Sequence, residues 1–414
     1  MYLCYCFLNT KMSISISRVL FILCFIVTSE QQQILRKEAY ETVPQLVSSA
    51  GYPVEKHRVT TSDGYILQLH RIPAGKRIAR KAYSAKGKKA VLIGHGLLGS
   101  SGDFVIMGPE KSLAYMLADA GYDVWLANFR GNIYTSHRNY TRNDPKFWEY
   151  SFHEHGKYDL PACIDKVLNV TGLPKLFYIG YSMGTTTFFV MASEKPEYND
   201  KVITFLALAP AVYLSHLKGI VEFLLKNINI LERLKNRGLL SINVKRDILD
   251  VFIKNMCYSK KSKDNVCMSF VYLVVGEDDE QYDQEVTALI LSRIQPASFR
   301  QVEHFGKIAM TDVFTSWEDG LWGAVKPYNL DNVRVPVTLL YGMNDQLTEK
   351  SQIKRLADKL NATGVLEDFR PACSWHKFNH LDFTFALDVG TIFNKPLVKT
   401  VDALYDKYGS HEEL

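Results

Sequence analysis

Leu176-Phe177-Tyr178-Ile179-Gly180-Tyr181-Ser182-Met183-Gly184-Thr185 is the stretch on which the fold turns. Its first four residues read as a short buried strand, and Thr185 to Ser193 reads as a helix. Between the two lies Gly-x-Ser-x-Gly. A strand that passes into a helix with so few residues turns sharply, so the corner residue takes strained backbone angles and both flanking positions must do without a side chain. In that context Ser182 is predicted to be a nucleophile, since the corner presents its hydroxyl at the end of the sheet.

Working outward, apolar strands and helices alternate on both sides of this corner. Upstream are the strand Ala90 to Ile93, a helix Ser112 to Ala120, a strand Tyr122 to Ala127 and a helix Asp159 to Val170; downstream is the strand Val202 to Ala209. That order predicts an α/β fold, a mostly parallel sheet with helices on both faces. Glu55 to Thr60 and Tyr65 to Ile72, joined by Ser62-Asp63-Gly64, read as a hairpin that supplies an antiparallel edge. From Val212 to about Ala324 the pattern changes to amphipathic helices, such as Val221 to Leu234 and Ile248 to Met256, without convincing strand alternation. The sheet pattern resumes at Val337 to Tyr341 and ends with a helix from Pro396 to Tyr408. The expected organisation is residues 1–29 as a leader, 30–211 and 330–414 as two parts of one core, and 212–329 as an inserted helical cap or lid over the strand ends, where open α/β sheets place ligands.

The 414 residues are 47% hydrophobic, 22% charged and 12% aromatic, which excludes a disordered or fibrous chain. The 49 basic and 44 acidic residues leave a formal charge of +5 with no block of like charges, so no nucleic-acid partner is expected. An apolar run from Val19 to Val27, after Lys11 and Arg18 and before Thr28-Ser29-Glu30, has the form of a secretory signal peptide, too short to span a membrane. Its removal near Ser29 would leave no stable transmembrane segment and would take Cys4, Cys6 and Cys24. Of the remaining cysteines, Cys257 and Cys267 flank a polar loop and suit a disulfide in an oxidising compartment, and Cys163 reads as a buried apolar residue. Asn139, Asn169 and Asn361 begin Asn-x-Ser/Thr triplets and are candidate glycosylation sites. The last four residues, His411-Glu412-Glu413-Leu414, have the form of an endoplasmic-reticulum retrieval address, leaving retention, secretion and lysosomal delivery as open destinations.

A serine hydroxyl needs a base within hydrogen-bond reach and a carboxylate to orient that base, and in this strand-and-helix order the partners follow as Ser, Asp or Glu, then His. That order points to His380, in Phe378-Asn379-His380-Leu381-Asp382, ahead of His376; His216 and His304 fall in the cap and His411 in the tail. The strand Val337 to Tyr341 runs into Gly342-Met343-Asn344-Asp345, which favours Asp345 as the acid over Asp368. Two backbone amides should face the developing oxyanion, each worth about 3 kcal/mol of barrier. The Met183 amide follows the nucleophile, and the loop Gly94-His95-Gly96-Leu97-Leu98 offers Leu97, with Leu98 as the alternative and His95 as a brace. His153-Glu154-His155 does not have the spacing of a helical zinc motif, so neither a metal nor any other cofactor is expected.

These residues, together with Asn128-Phe129-Arg130-Gly131-Asn132 and the run Phe147 to Pro161, closely resemble the acid lipase family of α/β-hydrolases, which includes gastric lipase and lysosomal acid lipase. The resemblance extends from Gly51-Tyr52-Pro53 to Asn379-His380-Leu381-Asp382-Phe383. It implies a serine lipase acting on triacylglycerols or sterol esters through an acyl-enzyme, working at a lipid–water interface under a mobile lid. It also implies a cap disulfide matching Cys257 and Cys267. A lipid carrier without turnover or a short-chain carboxylesterase would keep the same fold. The family commonly has histidine before the nucleophile and glutamine after it, where this chain has Tyr181 and Met183, and both changes bear on selectivity and rate. The stretch Pro371 to Lys377 is longer than the family's, which would shift the base.

Overall fold

The computed structural model describes residues 37–76, 89–215, 240–243, 266–318 and 320–409, with isolated positions between 216 and 265. The leader, the cysteines within it, most of both expected cap helices, His216, the Cys267 side chain and the terminal 411–414 lie outside the described residues. Eleven strands are described: β1 (Glu55–Thr60), β2 (Tyr65–Ile72), β3 (Ala90–Gly94), β4 (Asp123–Leu126), β5 (Ser136–His137), β6 (Leu176–Tyr181), β7 (Val202–Leu208), β8 (Ser241–Ile242), β9 (Ala297–Ser298), β10 (Val337–Tyr341) and β11 (Leu366–Pro371).

The main sheet has the order β1-β2-β4-β3-β6-β7-β10-β11, with β5 paired to β2. β1, β2 and β5 pair antiparallel, β2 also pairs antiparallel with β4, and the strands from β4 through β11 are parallel. The central strands β3, β4, β6 and β10 are buried along their whole length. Alternate side chains therefore feed two separate cores. Val91, Ile93, Phe177 and Ile179 pack on one face, against the helices Leu113–Asp119 and Lys395–Tyr408. Leu92, Leu176 and Tyr178 pack on the other, with Leu160, Ile164 and Val167 of helix Leu160–Thr171, Phe188 and Phe189 of helix Met183–Glu194, and Leu356 and Leu360 of helix Lys350–Ala362.

Residues 209–336 leave the sheet after β7 and return to its neighbour β10, where Val337 pairs with Phe205. The described part of this insertion contains helices Val266–Val275, Gln284–Ser292 and Phe299–Thr311. It also contains a two-stranded ribbon, β8 with β9, which corrects the expectation of no strands there. Two residues per strand are too few to show a period of two. β11 and helix Lys350–Ala362 are likewise absent from the sequence reading. β11 has the sequence Leu-Glu-Asp-Phe-Arg-Pro, half-buried throughout as an edge strand, so its charges mask the apolar signal. Among the described residues, no helix is long and apolar enough to cross a membrane.

Candidate active site

β6 ends at Tyr181, and helix Met183–Glu194 begins two residues later, with Ser182 between them at φ +52°, ψ −119°. This is a sparsely populated region for a residue with a side chain, of a kind that costs about 1–3 kcal/mol and persists only where the surroundings enforce it. The enforcement is close backbone approach. A Cβ on Gly184 would lie 2.4 Å from the Gly94 carbonyl oxygen, and one on Gly180 would lie 2.8 Å from that of Gly184. The Ser182 amide donates to the Leu208 carbonyl at 2.9 Å, tying the corner to β7. Gly96 brings the loop after β3 against the serine: a Cβ there would be 3.2 Å from that of Ser182.

The structure brings Ser182, His380 and Asp345 into one chain of hydrogen bonds. The Ser182 hydroxyl lies 2.8 Å from His380 Nε2, and His380 Nδ1 lies 2.8 Å from Asp345 Oδ2. With Nδ1–H donating to the carboxylate, Nε2 is left as the acceptor that a general base requires. Asp345 is buried and well held: its Oδ1 accepts from the Leu347 and Thr348 amides at 2.9 and 2.8 Å, and its Oδ2 from the Thr348 hydroxyl at 2.6 Å. Asp345-Gln-Leu-Thr348 is a local side-chain-to-backbone turn, a signal present in the sequence but unread there. The residues Pro371 to Lys377 do not displace the base. Trp375 Nε1–H donates to Asp278 Oδ2 at 2.6 Å and Lys377 reaches Asp279 Oδ1 at 2.6 Å, so this stretch docks on the insertion.

Among the described residues, neither the Leu97 nor the Met183 amide is spent on a protein acceptor, the latter being the first residue of its helix. The loop that carries Leu97 is braced by His95, whose Nδ1–H donates to the Gly96 carbonyl at 2.8 Å while its Nε2 accepts from the Phe129 amide at 3.1 Å. Burial lowers the His95 imidazole to about 4, so it stays neutral and its two bonds keep one tautomer. The insertion touches Met183 and the residue that follows Leu97. The Gln295 amide donates to the Leu98 carbonyl at 2.8 Å, and Gln301 Nε2–H to Met183 Sδ at 3.2 Å. Tyr181 takes a role the sequence left open: its hydroxyl donates to the His380 carbonyl at 2.8 Å.

Other candidates go elsewhere. His376 is exposed beside Trp375, and Asp368 lies in β11 against Arg370 Nε at 2.7 Å. His304 is buried, stacked on Phe152 at 3.8 Å and bonded to Ser151 and Thr315. His153 meets the Tyr328 hydroxyl at 2.7 Å, whereas His155 lies between Phe129 and Tyr150. Cys257 is disulfide-bonded, while Cys163, buried, and Cys373 are free. Asn139, Asn169 and Asn361 are exposed.

A family model described as the partial alpha/beta-hydrolase lipase region matches residues 43–108, and one for the alpha/beta hydrolase fold matches residues 89–225. Lipase 1 of Drosophila melanogaster is 37% identical over 397 residues, 92% of this chain and 84% of its own length. Gastric triacylglycerol lipase of Bos taurus is 33% identical over 370 residues, 85% of this chain and 88% of its own. Among solved structures, a putative aryl esterase from Burkholderia cenocepacia superimposes with a TM-score of 0.50 at 15% identity, over 85% of this chain and all of that one, a likeness of fold alone.

Proposed function

The chain belongs to the acid lipase family of α/β-hydrolases and is a carboxylic ester hydrolase, and from that premise we propose that it cleaves the acyl esters of neutral lipids, triacylglycerols or sterol esters, through an acyl-enzyme on Ser182. The observation that carries the reading is His380, bonded on one side to Ser182 and on the other to Asp345. As Ser182 Oγ attacks the ester carbonyl, its proton passes to His380 Nε2, and the carbonyl oxygen takes up negative charge against the Leu97 and Met183 amides. Collapse of that intermediate breaks the bond to the alcohol, which leaves with the proton from His380. Water then attacks the acyl-enzyme with the same base, and the acid departs as Ser182 regains its proton. Asp345 holds the imidazolium throughout. No step needs a metal or an organic cofactor.

Residues 212–329 we read as a cap over this site, supported by the contacts of Gln295 with Leu98 and Gln301 with Met183. The compartment we propose is the secretory pathway, entered by the leader 1–29, where exposed Asn139, Asn169 and Asn361 would accept glycans and Cys257 would pair with Cys267. Deleting His411 to Leu414 should release the protein into the medium if that tail retains it; full-length protein that is secreted equally with or without the tail removes retention.

Ser182→Ala should abolish hydrolysis of emulsified triolein and leave the thermal transition in place. Continued turnover of a long-chain ester by that variant would overturn the assignment. Rates of the unaltered chain on triolein against a soluble short-chain ester separate a lipase from a small-ester esterase, and a chain that binds lipid without labelling by a fluorophosphonate would be a carrier.

A further inference from the structure

Between helices Val266–Val275 and Gln284–Ser292 the inserted chain turns against both loops that carry the acid and the base. Gly276 opens the turn at φ +104°, where an added Cβ would lie 2.3 Å from the Asn344 carbonyl oxygen, so glycine is required for so close an approach. The Gly276 carbonyl accepts from Asn379 Nδ2 at 2.9 Å, and the Glu277 carbonyl from Asn344 Nδ2 at 2.7 Å. Asn379 directly precedes His380, and Asn344 directly precedes Asp345. Near the end of the turn, the Gln281 carbonyl accepts from the Leu387 amide and its Oε1 from the Asp388 amide, both at 2.9 Å. One short stretch of the insertion therefore grips the chain on both sides of His380.

Tyr282 closes the turn. Its ring belongs to the same buried cluster as Phe378 and Phe383, and its hydroxyl donates to Asp382 Oδ1 at 2.5 Å, with Asn379 Oδ1 3.3 Å away. Asp382 Oδ2 in turn accepts from the Asn379 amide at 2.5 Å. The carboxyl of Asp382 thus links the insertion to the backbone that leads into His380. Asn379 and Asp382 are fully buried, so bulk water cannot stand in for a lost partner. Burial, with the Asp382 charge beside it, holds the Tyr282 hydroxyl far above its ordinary range, which keeps it a donor at every working pH. The His380 carbonyl is held separately, by the Tyr181 hydroxyl at 2.8 Å.

We propose that Tyr282 is a positioning residue for the catalytic base: its hydroxyl, acting through Asp382 and the Asn379 amide, fixes the loop that aims His380 Nε2 at Ser182. The role rests on the Ser182–His380–Asp345 reading and adds to it, because it makes the inserted segment part of what aims the base. Taking the hydroxyl away keeps the buried ring but leaves a buried carboxyl oxygen short of a donor. The carboxyl is then free to turn from the Asn379 amide, and the loop loses a fastening beside its histidine.

The experiment uses the full chain and a soluble short-chain ester, with active sites counted by fluorophosphonate labelling and kcat taken per labelled site. Tyr282→Phe should lower kcat about tenfold while KM stays within about twofold, because a loosened base loop misplaces Nε2 rather than the substrate. The same exchange made in an Asp382→Ala chain should cost less than about twofold further, since the hydroxyl has then lost the group it acts through. A kcat that Tyr282→Phe leaves unaltered, or a loss carried by KM alone, overturns the proposal, as does an equal loss of kcat in both backgrounds. Tyr282→Phe decides alone if Asp382→Ala fails to fold. An unaltered chain that takes no label on Ser182 sinks the triad reading instead, so the two failures are distinguishable.

Discussion

Ser182 and His380 meet at 2.8 Å, yet the two are held there by different means. The serine stands on the buried half of the sheet, where β3 and β6 run parallel with Gly94 beside Gly180. Its position is a matter of steric exclusion, set by Gly180 and Gly184 with the loop after β3 pressed against them. The histidine and Asp345 sit on loops after β11 and β10, near the sheet's other edge, and are held by side-chain bonds from Thr348, Tyr181, Asn379 and the inserted segment. One half of the site is fixed by what cannot fit, the other by what is bonded. Mutations should therefore break the halves in different ways: the first through folding, the second through turnover.

The largest effect is expected on the bonded half. Asp345→Asn keeps the shape of the side chain but gives His380 Nδ1 an amide to meet, so the imidazole can turn its unprotonated nitrogen to the amide and present Nε2–H to the serine. A loss of about 10⁴ in kcat follows, by the size of the effect in serine proteases, with the thermal transition little moved. Steady-state rates on a soluble ester, with a melting curve beside them, check this; a loss below about tenfold would show that the carboxylate does not set the tautomer. On the sterically fixed half, Gly184→Ala must move backbone, because its Cβ would lie 2.4 Å from the Gly94 oxygen. Destabilisation of about 4 kcal/mol or more is expected, with activity and denaturation midpoint falling together. An alanine variant that melts normally and is merely slow would erase the distinction between the halves.

The same distinction explains what could be read in the sequence. Gly180, Ser182 and Gly184 announce the corner because their spacing marks a sharp strand-to-helix turn, although what excludes a side chain at Gly184 is the backbone of Gly94, far away in the sequence. The strands β3, β6 and β7 announce themselves through uninterrupted apolar runs buried on both faces. His380 and Asp345 could be picked by chain order and by the strand before Asp345; what holds Asp345 is local, in the turn to Thr348, but what holds His380 is not. Thr348 acts from a turn that resembles any polar loop, and Tyr282 acts through Asp382 from 100 residues away in the chain, a separation that no periodicity spans. β11 escaped because an edge strand needs charge on it, and the β8–β9 ribbon because it is too short.

Tyr181 joins the two halves, since it ends β6 and its hydroxyl donates to the carbonyl of His380. Tyr181→Phe keeps the buried ring, 5.4 Å from that of His380, and removes one hydrogen bond. The loss should be about 1 kcal/mol, seen as a several-fold drop in kcat for a soluble ester with KM unchanged, because the bond orients the base and not the substrate. Burial holds the Tyr181 hydroxyl far above its ordinary range, so it remains a donor at every working pH. The drop should accordingly be the same at pH about 5 and about 8. A Tyr181→Phe deficit that appears only in alkali would show that the hydroxyl does not act by holding the His380 backbone.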